Sequence, residues 1–217
     1  MPSKIINRLA TFGTGYYDID EAMAKDCLME DLFYLKDLKQ RKLFLNEDID
    51  QTTVADIVRH IMQYNKEDKD LDVEERTPIL LYLTSNGGEV NAGFELIDVI
   101  RSSKTPVYTI NLGTQYSMGF LIGLAGHKRF ATKNAQFLMH DGSNFVYGSG
   151  TKVQDQMEFQ KRVEKRIKEY VLSRSKLTDE EYDNKLRVEW YLFANEAKEK
   201  GFTDYIIGED CDMDAVI

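Results

Sequence analysis

Cysteine is nearly absent from this chain: Cys27 and Cys211 are the only two in 217 residues, far apart and without metal-ligand spacing. That leaves no disulfide framework and no cysteine-built metal site, and two isolated thiols fit a reducing compartment. Long apolar runs are missing as well. None approaches the roughly 18 residues that a membrane-spanning helix needs. Met1 to Gly15 mixes Lys4 and Arg8 with short apolar pairs and lacks the apolar centre and cleavage site of a secretory signal. The expected location is the cytoplasm, with no membrane partner. Excess positive charge is absent too. The net charge is -9, spread along the chain, which repels phosphate backbones and argues against a nucleic-acid partner. The basic residues between Lys161 and Lys168 are interspersed with glutamate and read as a solvated helix face. No internal repeat or low-complexity tract stands out.

What is present suits a globular domain. Hydrophobic residues make up 42% of the chain, enough for one sizeable core. The stretch 65–77 (NKEDKDLDVEERT) is highly charged and reads as a surface loop, with a softer break at Gly148-Ser149-Gly150. Between these breaks strands and helices alternate. Leu43-Phe44-Leu45 is a short strand, and Val54, Ile57, Val58, Ile61 and Met62 mark a helix capped by Asp50 or Thr52. The run 78–84 (PILLYLT) suits a strand covered on both faces. Ala92, Leu96, Val99 and Ile100 mark a second helix, 107–112 is a strand, and a third helix begins near Ser117 or Met118. Short strands follow at 128–131 and 136–139. A long amphipathic helix then runs from Thr151 to Ser175, and Leu177-Thr178 with Glu181 predicts a staple and capping box for another. Alternation of this kind predicts an α/β fold with a largely parallel sheet. The expected division is a helical N-terminal segment over 1–40, open to flexibility, a main domain over 41–208, and a loosely held acidic tail over 209–217.

Two strand-to-helix turns carry the chemistry: Ser85-Asn86-Gly87-Gly88 and Gly113 to Gly119. In parallel sheets ligands collect at the carboxyl ends of strands, where such turns meet. Ser117 at a helix start sits beside unpaired N–H groups that suit a developing oxyanion, and paired glycines let backbone N–H groups approach a substrate. Each also has a plain structural reading, a helix cap for Ser117 and a tight turn for Gly87-Gly88. His140 closes an apolar strand, where it serves equally as general base or as a satisfied structural histidine. His60 and His127 suggest no partner. The elbow Gly-x-Ser-x-Gly is missing, because Gln115 stands where its first glycine belongs, and no acid lies between Ser117 and His140. Both facts argue against an α/β-hydrolase. Zincin, Cys-x-x-Cys and Walker patterns are absent too.

Taken jointly, SNGGEVNAGFELIDVI, GTQYSMGF, FLMHDG and EWYLFANEAKEKGFTDYI occur in an order that resembles the proteolytic subunits of the Clp protease, the ClpP family. The resemblance runs from about Lys42 to Ile207. It implies the ClpP/crotonase-like fold, with 151–175 as a protruding handle helix that interlocks two rings. It also implies a serine endopeptidase without cofactor or metal, assembled as heptameric rings into a tetradecamer. Such an assembly degrades unfolded polypeptides delivered by an AAA+ unfoldase ATPase. By the same resemblance Ser117 is the nucleophile and His140 the general base. The backbone N–H groups of Gly88 and Met118 form the oxyanion hole, and Gly87 and Gly148 lie along the substrate. The third triad position is Glu189, where the family carries Asp, with Asp183 as the alternative. Asn86, Asp141-Gly142, Tyr116 and Phe120 depart from the family pattern, and the segments before Arg41 and over 65–77 are longer. These departures bear on substrate preference and on docking of the ATPase. Two other readings remain beside this one: an acyl-CoA hydratase or isomerase on the crotonase fold, and a non-catalytic ring subunit.

Overall fold

The computed structural model describes residues 29–142 and 146–217. Cys27 and the start of the N-terminal segment lie outside them. The chain divides into two compact units, Met1–Leu43 and Phe44–Ile217. In the first, α1 spans Met29–Lys39, with Lys36 and Lys39 in its last turn, where positive charge suits the helix dipole.

The second unit holds the main sheet, ordered β1-β2-β3-β5-β8, with the Phe44–Leu45 end of β1 (Lys42–Leu45) at its edge. β2 (Ile79–Leu83) is buried at all five positions, as its unbroken apolar run predicts for a strand covered on both faces. It pairs in parallel with β3 (Val107–Asn111), β3 with β5 (Lys128–Thr132), and β5 with β8 (Tyr205–Ile207). Helices α2 (Gln51–Glu67) and α3 (Val90–Ser102) pack on each other and bury Val54, Ile57, Ile61, Leu96 and Ile100. The predicted cap of α2 is Asp50, in a reciprocal box with Thr53.

A second, three-stranded sheet was not foreseen. It is ordered β4-β6-β7, where β4 (Thr114–Tyr116) runs parallel to β6 (Gln136–Met139) and β7 (Trp190–Phe193) antiparallel to it. Helix α4 (Met118–Leu124) follows β4 and is buried at every position. The long helix α5 (Gly150–Arg174) is exposed through most of its first four turns, with Met157 and Phe159 open to solvent. Only its Tyr170 and Val171 are fully buried. α6 (Asp179–Leu186) is capped by Thr178, whose side chain accepts from the Glu181 N–H, but the reciprocal half of the predicted box is not made, because the Glu181 carboxylate accepts from Lys200 at 2.5 Å. The α/β class with a largely parallel sheet holds.

Three expectations fail. The charged stretch 65–77 is not wholly a solvated loop, because α2 runs on to Glu67 and both Asp68 and Arg76 are buried. Their charges are met by hydrogen bonds: Thr105 Oγ1 donates to Asp68 at 2.9 Å, and Arg76 donates to the Leu71 carbonyl at 3.0 Å. The acidic tail is held rather than loose. Val216 is fully buried against Tyr82 and Phe130, and the Tyr82 hydroxyl donates to the Val216 carbonyl. Finally, both remaining histidines have partners: the buried His60 stacks on Tyr64 with ring centroids 6.4 Å apart, and His127 Nδ1 accepts from the Val107 N–H at 3.0 Å.

Candidate active site

The two glycine-bearing turns are stitched together by backbone. Beyond β2, the Ser85 N–H donates to the Thr114 carbonyl and the Tyr116 N–H donates back to Ser85, so the end of β2 runs beside β4. This lays Gly87 against Ser117. Ile49 clamps the other side of the turn, donating to the Gly87 carbonyl at 2.8 Å and accepting from the Glu89 N–H at 2.7 Å. A Cβ on Gly88 would stand 2.2 Å from the Ile49 oxygen, so no side chain fits there. With φ at +147° the position also requires glycine. Among the described residues, neither the Gly88 nor the Met118 N–H has a protein acceptor.

Ser117 itself has φ 53° and ψ −119°, a conformation that costs a non-glycine residue about 1–3 kcal/mol. Its side chain makes no capping hydrogen bond, so the cap alternative is not the one used. What holds the strained residue is β6: the Ser117 N–H donates to the Leu138 carbonyl at 3.0 Å. His140 follows two residues later, at the end of that strand.

β7 completes the arrangement. Its antiparallel register places Trp190 opposite Met139, and so brings Glu189 beside His140. His140 Nδ1 and Glu189 Oε1 lie 2.8 Å apart. This bond holds the Glu189 carboxyl below the usual carboxylate range, and a further bond from Tyr191 acts in the same direction. Asp183, the alternative acid, is instead paired with Lys168 at 2.7 Å. Ser117, His140, Gly88 and Met118 line one cleft, whose other walls include Val90, Leu121, Met139, Ile167 and Leu186. Gly142 lies on its rim. Gly148 is exposed ahead of α5 and does not line the cleft.

Comparison with known proteins now decides the class. The family model for Clp protease matches residues 25–210. The chain belongs to the Clp protease family. It is thereby a serine-type endopeptidase of that family, and its mixed α/β architecture with a mainly parallel sheet is consistent with the assignment. The chain is also similar to the ATP-dependent Clp protease proteolytic subunit 2 of Treponema pallidum (strain Nichols). The two are 29% identical over 186 residues, which cover 85% of this chain and 90% of that protein. The acyl-CoA hydratase or isomerase reading finds no support in these matches.

Sequence reasoning missed Tyr191, whose hydroxyl donates to Glu189 Oε2 at 3.2 Å. The signal was available, since residues two apart at a strand share a face. It also missed Ile49 and Leu138, which act through backbone atoms and leave no mark in residue type. A second cavity, of about 490 Å3, is lined by His127, Arg129, Arg174 and Lys198. Its arginines are engaged in the fold. Arg129 is bound to Asp204 and to the carbonyls of Arg174 and Gly201, and Arg174 to those of Leu124 and Gly126.

Proposed function

We propose that this chain is the proteolytic subunit of a ring-shaped Clp protease that cleaves unfolded polypeptides delivered by an AAA+ ATPase. In this reading Ser117 Oγ attacks the peptide carbonyl while His140 Nε2 takes its proton. His140 then protonates the leaving amine, and water, activated by the same imidazole, releases the acyl group from Ser117. The N–H groups of Gly88 and Met118 stabilise the oxyanion of each tetrahedral intermediate. Glu189 fixes the His140 tautomer with Nδ1–H toward the carboxylate, which leaves Nε2 as the base, and stabilises the imidazolium.

The observation that carries this reading is the 2.8 Å contact between His140 Nδ1 and Glu189, made at the end of the strand to which Ser117 is tied. A glutamate does here what a shorter carboxylate does in the family pattern. This pair also counts against a non-catalytic ring subunit. The apolar walls of the cleft suit an apolar side chain next to the scissile bond. The exposed first half of α5, with Met157 and Phe159, supplies the apolar surface that ring-to-ring packing needs.

The test is hydrolysis of fluorogenic peptides and of an unfolded protein, with and without a Clp ATPase, by the assembled wild type and S117A. Cleavage by the wild type and none by S117A supports the reading. Equal cleavage by both overturns it.

A further inference from the structure

We propose that Tyr191 is a positioning residue that makes a glutamate workable as the third member of the triad, an inference that rests on the catalytic reading above. Glu189 carries one more methylene than the aspartate expected there, and its side chain is 58% exposed. A carboxylate on so free a stem, held at one oxygen alone, samples many rotamers and aligns the imidazole only part of the time. Here both oxygens are held. Oε1 meets His140 Nδ1 at 2.8 Å, and Oε2 accepts from the Tyr191 hydroxyl at 3.2 Å. The same contact raises the Tyr191 pKa, in keeping with a hydroxyl that donates to a carboxylate.

Tyr191 is itself fixed from the nucleophile's side. Its ring packs edge-on against Tyr116, with centroids 5.6 Å apart. Tyr116 precedes Ser117 and anchors its own hydroxyl on Gln136 Oε1 at 2.5 Å. The register of β6 and β7 sets Tyr191 opposite Leu138, whose carbonyl accepts the Ser117 N–H. One aromatic pair therefore links the backbone beside the nucleophile to the acid that orients the base. Tyr191 is more than half exposed, so its removal leaves the core intact.

The experiment measures kcat and KM on a fluorogenic peptide for wild type, Y191F, E189D and the double variant, with fluorophosphonate labelling of Ser117 in each. Y191F is expected to lower kcat by about 3–10-fold with KM within about twofold, because a hydrogen bond to a charged group is lost without loss of substrate contacts. In the E189D background the shorter carboxylate cannot reach both partners, and adding Y191F lowers kcat by less than about twofold. Purely structural use of Tyr191 would give the same loss in both backgrounds, and that result overturns the proposal. So does wild-type kcat in Y191F when Ser117 labels normally. Failure of the wild type to label at Ser117 removes the catalytic reading and this inference with it.

Discussion

Gly87 lies so close to Ser117 that a Cβ built on it would stand 2.7 Å from the Ser117 Cβ and 3.1 Å from the Met118 nitrogen. The glycine therefore sets the distance between the two turns that meet at the site. Its φ of +111° compounds the constraint, since a side chain there is strained whatever the space. Gly87→Ala is expected to push the Met118 N–H off target and to lower kcat/KM by about 100-fold, the scale of a 1 Å misplacement. Peptide kinetics beside a circular dichroism melt check this. The activity loss should far exceed the loss of folded protein.

Glu189 gives a graded series. Glu189→Gln keeps the shape and loses the charge that, in the proposed mechanism, holds the His140 tautomer, so kcat is expected to fall by about 10²–10⁴-fold. Glu189→Asp restores the charge on a shorter stem and should stay within about 10-fold of wild type. Steady-state kinetics on one peptide ranks the three, and E189Q equal to wild type would remove Glu189 from the triad.

Much of this was legible in the sequence, for physical reasons that can be named. The run ILLYL announced a doubly covered strand because water has no access to either face, and β2 is buried throughout. Asp50 and Thr178 announced helix starts because their side chains satisfy orphan N–H groups. The second sheet was not legible. β4 and β7 span three and four residues, too short for a period-2 pattern to declare itself, and their pairing with β6 is a tertiary fact. Since β7 is what carries Glu189 to His140, the proposed third member of the site needed the family resemblance to be found. Asp68 and Arg76 misled because charge predicts solvent exposure unless a partner is known, and the Thr105 hydroxyl that meets Asp68 is 37 residues away.

His60 predicts an acid-sensitive fold. Burial in α2 pushes its imidazole down from 6.5 to about 4, with Asp56 opposing and Arg59 reinforcing. The unfolded chain thus binds a proton near pH 6.5 that the folded chain refuses until about pH 4. Stability from this group is complete above the unfolded value and is lost as pH falls toward the folded one. Between pH 7 and pH 5 the wild type should lose about 1–2 kcal/mol more than His60→Phe. Urea unfolding at fixed protein concentration measures the difference, and parallel losses in the two proteins would contradict it.

Arg129 and Asp204 form a bidentate pair, Nε to Oδ2 at 3.0 Å and Nη2 to Oδ1 at 2.5 Å, with the arginine largely buried. Asp204→Ala leaves that guanidinium without its counter-charge, though the Arg174 and Gly201 carbonyls still accept from it, and is expected to destabilise by about 2–4 kcal/mol, somewhat under the cost of breaking a fully buried pair. Arg129→Lys cannot make both bonds and should also lose stability. Denaturant midpoints for the two variants test this, and values unchanged from wild type would show the pair to be dispensable.

In the proposed mechanism Ser117 is a nucleophile activated by His140. The most direct measurement of this is fluorophosphonate labelling of the assembled protein, with the modified residue located by peptide mass mapping. Stoichiometric modification at Ser117 is expected, slowed by at least about 100-fold in His140→Ala. Labelling that is absent from Ser117, or that proceeds at the same rate without His140, would contradict it.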